Sequence, residues 1–135
     1  MSGAVQDGEF TEPAYATDEK SKPGFVRTIV AVKGLRSTNQ MTMKGLKKKA
    51  SNAEIESTFE QQSFCLTVEG TKGDVKHKKY QLKIRKLPGE IIPEKCYVEP
   101  DKDRVLLFLH KSEDKSWYPE LENGLEMEED QEEDS

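Results

Sequence analysis

Cys65, His77, Cys96 and His110 are the side chains of this chain best suited to hold a metal or to act as nucleophile and base. Their spacing argues against both roles. A structural zinc site takes its ligands in close pairs, and none of these four has another nearby in the sequence. His77 stands among Lys76, Lys78 and Lys79, whose charges oppose its protonation, and no adjacent carboxylate is there to orient it as a base. His110 follows an apolar run and reads as a structural or surface residue. The chain has no glycine-rich phosphate loop and no GxSxG elbow. Its acidic tail lacks the glycine and the ligand order of an EF-hand. The expectation is a protein that is not an enzyme and takes no metal and no cofactor.

The chemistry that remains is charge. The net charge of −5 conceals a segregation. Residues 1–20 carry five acids and one lysine, residues 120–135 carry nine acids and no base, and 21–119 are left with a net +8. Within that basic centre, Lys79, Lys83 and Arg85 project to one side of a strand. Alone they keep the surface soluble and protect a sheet edge. Facing a partner, they would steer an acidic surface and raise its on-rate. Lys44, Lys47, Lys48 and Lys49 lie in a stretch, 34–52, with no acid and no apolar period. That stretch reads as a long basic loop. No aromatic interleaves its lysines to stack on bases, so nucleic acid is not the expected partner.

The elements that must position these groups are strands. Tyr80, Leu82 and Ile84 alternate with Gln81, Lys83 and Arg85, a period of two with one buried and one basic face. Phe25 to Val32 is rich in β-branched residues. Ile55 to Phe59 and Phe64 to Val68 alternate on either side of Gln61-Gln62, a tight connection. Leu87-Pro88-Gly89 and Ile92-Pro93 interrupt the ladder, because proline donates no backbone hydrogen bond. Cys96 to Val98 is a short strand, and Pro100 to Asp103 supplies turn chemistry. Val105 to Leu109 is apolar without a break, so both of its faces should be covered. Trp117, the only tryptophan, should plug one end. The fold class is all-β, an antiparallel sandwich of about seven strands. Its core should hold Phe64, Leu66, Tyr80, Leu82, Ile84, Leu107, Leu109 and Trp117.

One domain suits 135 residues. With 33% hydrophobic residues, 35% charged and a mean hydropathy of −0.84, part of the chain is too polar to pack. The expected division is a disordered leader over 1–22, a sandwich over 23–121 and a disordered acidic tail over 122–135. There is no secretory or membrane-spanning segment, and a reduced, cytoplasmic or nuclear monomer with no membrane partner is the expectation.

Several stretches, taken in order, resemble a CS domain. They are Phe59-Glu60-Gln61-Gln62-Ser63-Phe64-Cys65-Leu66, then Tyr80-Gln81-Leu82, then Gly89-Glu90-Ile91-Ile92-Pro93-Glu94-Lys95-Cys96. Leu109-His110-Lys111 completes the set, with Trp117 six residues beyond the lysine. CS domains are the sandwiches shared by small co-chaperones of the ninety-kilodalton heat-shock chaperone, by the SGT adaptors and by calcyclin-binding protein. The resemblance covers roughly 25–121. It implies a sandwich without an active site that works by recognising a protein, with Lys111 on the binding face. It implies the heat-shock chaperone as partner or, following calcyclin-binding protein, a scaffold in ubiquitin-ligase or cytoskeletal regulation. Family members often carry an aromatic three residues before a glycine like Gly34; here that residue is Ala31.

Overall fold

The structure is a computed structural model and describes residues 10–43, 45–113, 115–117 and 121, with the backbone of 126–127. These residues form an all-β fold of two four-stranded sheets and one hairpin. The first sheet has the order β1-β2-β9-β8, from Tyr15–Asp18, Phe25–Ala31, Arg104–His110 and Tyr97–Asp101. The second has the order β10-β7-β6-β5, from Glu126–Met127, Lys79–Lys86, Ser63–Gly70 and Ala53–Glu60. Every strand pairing within both sheets is antiparallel. The remaining strands, β3 (Ser37–Thr42) and β4 (Gly45–Ala50), pair only with each other.

Period-two alternation places the core. Val26, Thr28 and Val30 of β2, Phe64, Leu66 and Val68 of β6, Leu82 and Ile84 of β7, and Val105, Leu107 and Leu109 of β9 all point between the sheets and are buried. Trp117 is buried with them, and Tyr80 is half-buried against them. The whole expected core is therefore found in one cluster. Burial of this kind is the main favourable term in folding, worth roughly 25 cal/mol per Å² of apolar surface. Trp117 lies over Gly89, where an added Cβ would come within 2.6 Å of the indole Nε1. The Pro88-Gly89 break thus does two jobs: it ends β7 and makes room for the indole.

Three segments differ from expectation. The 34–52 stretch is not a loop but the β3–β4 hairpin. It was hidden because both its faces are polar along most of their length, so no alternation marks it. Its base is fastened by buried Asn52. The Asn52 Oδ1 accepts from the Arg36 amide at 3.0 Å, and its Nδ2 donates to the Gly34 carbonyl at 3.0 Å. The leader is ordered from residue 10 onward: β1 pairs with β2, and Thr11 exchanges backbone hydrogen bonds with Lys79 and Gln81. Backbone pairing along sheet edges holds it there, together with buried Pro13 and with Tyr15, which packs against the core. The tail supplies β10, a two-residue strand on β7. Residues 1–9 and the rest of 122–135 lie outside the described residues, as does the disorder expected of them. The described residues therefore hold ten strands rather than about seven.

Candidate functional site

The outward face of the β1-β2-β9-β8 sheet is aromatic. Register aligns Arg27 with Phe108 and Tyr97 across three strands, and Phe25 with His110 at the end of β9. Tyr97 and Phe108 stack at 4.7 Å between centroids, 12° from parallel. Phe25 meets both edge-on, at 6.0 and 6.4 Å, and meets His110 at 4.7 Å. Leu106 and Ile29 extend the apolar band toward exposed Ala31. The uninterrupted run Val105 to Leu109 is covered on both faces, as its composition requires. The outer cover, though, is made by these neighbouring rings, with Tyr97 still 39% exposed.

Lys22 crosses the cluster. Its Nζ stands 4.7 Å from the Phe25 centroid, 5.1 Å from Tyr97 and 5.7 Å from Phe108, and it donates a hydrogen bond to the Tyr97 hydroxyl at 2.7 Å. A cation held over several ring faces is attracted by their quadrupoles, by about 0.5–1 kcal/mol per exposed contact. Around the band, charges pair within the sheet: Arg27 with Asp18 at 3.3 Å, and Arg104 with Asp101 at 3.0 Å. The carboxyl of Asp18 is held below its ordinary pKa by the Ser21 hydroxyl and the Lys20 amide, with Arg27 adding to the effect. That of Asp101 is lowered by the Lys102 amide and by Arg104, against the cost of burial. An apolar centre rimmed by polar and charged groups is the common anatomy of a recognition surface.

The residues singled out from the sequence do not meet on this face. Lys79, Lys83 and Arg85 do share the outer side of β7, as their spacing requires, but β7 belongs to the other sheet. There they neighbour Glu69, Cys65 and Ser63 of β6, and the acid row Glu54, Glu56 and Glu60 of β5 lies one strand further on. That face is of mixed sign, with the basic stripe along one side of it. Lys79 also lies 5.8 Å from the Phe10 ring, so the leader reaches it.

Lys111 is a correction. It follows β9, its side chain is 9% exposed, and it faces neither the basic strand nor the aromatic cluster. Its Nζ pairs with Glu19 at 3.4 Å and donates to the Lys115 carbonyl at 3.1 Å. Glu19 also accepts from the Ser116 hydroxyl at 2.8 Å and from the Trp117 amide. Burial alone would raise the Glu19 pKa; the Trp117 amide, the Ser116 hydroxyl and Lys111 outweigh it and hold the carboxyl below its ordinary value. Lys111 is thus a clamp between the leader and the Trp117 segment.

Cys96 and His110 come together through the backbone, the His110 amide donating to the Cys96 Sγ at 3.3 Å and the Cys96 thiol donating to the Ile92 carbonyl at 3.3 Å. Burial raises the Cys96 pKa, with Glu94 adding to it against the His110 amide, so the group stays a thiol. Cys65 is on the opposite sheet and His77 is on an exposed turn. Among the described residues no three His, Cys, Asp or Glu side chains converge as a metal site would need. Lys22, Phe25 and Tyr97 escaped the sequence reading, because nothing in the one-dimensional pattern joins a leader lysine to residues of β2 and β8. No helix of the described residues is long and apolar enough to cross a membrane. The chain matches no protein-family model, and no curated protein is similar to it.

Proposed function

We propose that this protein is a non-enzymatic recognition module of CS-domain type, a co-chaperone or adaptor that binds the ninety-kilodalton heat-shock chaperone. The observation that carries the reading is the aromatic band Phe25, Phe108 and Tyr97 on the outer face of the β1-β2-β9-β8 sheet. Of these rings Tyr97 is the exposed one, at 39%, standing on half-buried Phe25 and buried Phe108; a tyrosine anchored in this way inside a polar rim is among the residue types that most often dominate binding energy. The antiparallel two-sheet fold and the resemblance of the stretches around Phe64, Ile91 and Trp117 support the same reading. Ala31 is exposed on this face, so the aromatic weight sits toward Phe25 instead of at that position.

The test is affinity for the purified chaperone, with and without nucleotide. Tyr97→Ser removes an exposed ring at little cost to the fold. It is expected to weaken binding by about tenfold or more, equivalent to ~1.4 kcal/mol. Lys83→Glu combined with Arg85→Glu should change the affinity less than Tyr97→Ser does. Absence of binding in either nucleotide state would end the co-chaperone reading and leave the scaffold in ubiquitin-ligase or cytoskeletal regulation.

A further inference from the structure

The β3–β4 hairpin carries the most exposed apolar side chains of the described residues. Met41, Met43 and Leu46 are 75%, 103% and 68% exposed. Met41 and Leu46 are cross-strand partners on one face, and Met43 stands between them at the turn. Positive φ at Gly45, +116°, lets the chain reverse tightly enough to bring the three together. Met41, Met43 and Leu46 fall within six consecutive residues, and the hairpin turn sets them together at one end.

Behind the tip is a collar of positive charge. Lys47 and Lys49 are exposed on the face opposite Met41 and Leu46. Lys48 is tied to Asp101 at 3.4 Å, which braces the hairpin against β8. No acid occurs between Glu19 and Glu54. The edge strands β1 and β10, which lead to the acidic ends of the chain, lie at the far side of each sheet from β8 and β5, against which the hairpin rests.

We infer that the hairpin tip is a docking element for an anionic lipid bilayer. Strand residues rise about 3.3 Å each. Lys47 and Lys49 therefore sit one to three residues below Leu46, and their side chains reach lipid phosphates when the tip enters the headgroup and acyl boundary by about 5–10 Å. Clustered lysines next to an insertable apolar element attract the anionic lipids of a leaflet. A nucleic-acid partner is disfavoured because residues 37–50 contain no aromatic to stack on bases. The inference uses a different surface from the aromatic face and does not depend on the chaperone reading.

The full chain should co-sediment with vesicles of phosphatidylcholine containing phosphatidylserine, and not with phosphatidylcholine alone. Met43→Ser with Leu46→Ser, and separately Lys47→Ala with Lys49→Ala, should each lower the bound fraction about tenfold. A Met43→Trp variant in a Trp117→Phe background should show a blue-shifted emission with the anionic vesicles. All these tip positions are exposed, so unchanged melting curves are expected for the tip variants. Equal binding to neutral vesicles, no binding to anionic ones, or binding that survives Met43→Ser with Leu46→Ser would overturn the inference. So would tip substitutions that leave lipid binding intact and abolish capture of an acidic protein.

Discussion

Glu19 accepts hydrogen bonds from the Trp117 amide, the Ser116 hydroxyl and the Lys111 ammonium, so one carboxylate fastens the leader to the far end of the sandwich. Hydrogen bonds to a charged group contribute about 1.5–3 kcal/mol. Glu19→Gln should therefore lower stability by roughly that amount at neutral pH. Lys111→Glu would place two carboxylates in one half-closed site and should destabilise the fold, so it is a poor probe of binding. The effect is pH-dependent with a definite sign. The folded-state pKa of Glu19 lies below its ordinary value, so its contribution is present above the unfolded carboxylate range, about 4.3 for glutamate. It is lost as pH falls through the folded value. Asp18 and Asp101, also lowered, act in the same direction. Urea midpoints of wild type and Glu19→Gln should converge between neutral pH and acid. A constant gap across that range would contradict the role given to Glu19.

Among the elements, the hairpin is fastened at its base by one buried side-chain amide, besides the Lys48–Asp101 pair that braces it against β8. Asn52 bonds to Arg36 and Gly34 with its side chain, while its carbonyl accepts from the Thr71 amide at 2.8 Å. Asn52→Ala leaves the partly buried Arg36 amide and Gly34 carbonyl without their side-chain partner, at about 1 kcal/mol each. Amide exchange should accelerate in β3 and β4 well beyond the change in β6; uniform acceleration would show that the hairpin is not a separable unit. This is also where sequence and structure part. β2, β5, β6, β7 and β9 were legible because each packs one face on the core and so alternates, or, for β9, is covered on both. The hairpin packs neither face fully, β1 is held by backbone pairing to an edge, and β10 is only two residues long, so none leaves a period-two trace. Likewise Lys79, Lys83 and Arg85 could be placed on one face from spacing alone. Their separation from Lys111 could not, because it depends on which sheet each strand joins.

At the scale of the whole molecule, the two outer faces differ in kind. One is a band of rings with Lys22 laid across it; the other carries a basic strand, β7, and an acidic one, β5, with β6 between them. Recognition by the first predicts an interface centred on β2, β8 and β9. Recognition by the second predicts one centred on β7, with a steep salt dependence because exposed charges are screened beyond about 8 Å at physiological ionic strength. The measurement that separates them is an amide-shift titration of isotopically labelled protein with the purified ninety-kilodalton chaperone. Binding through the aromatic face gives shifts and broadening at Lys22, Phe25, Tyr97 and Phe108, with the amides of Lys79 to Arg85 unmoved. Shifts confined to β7, or none at tens of micromolar chaperone, would contradict it.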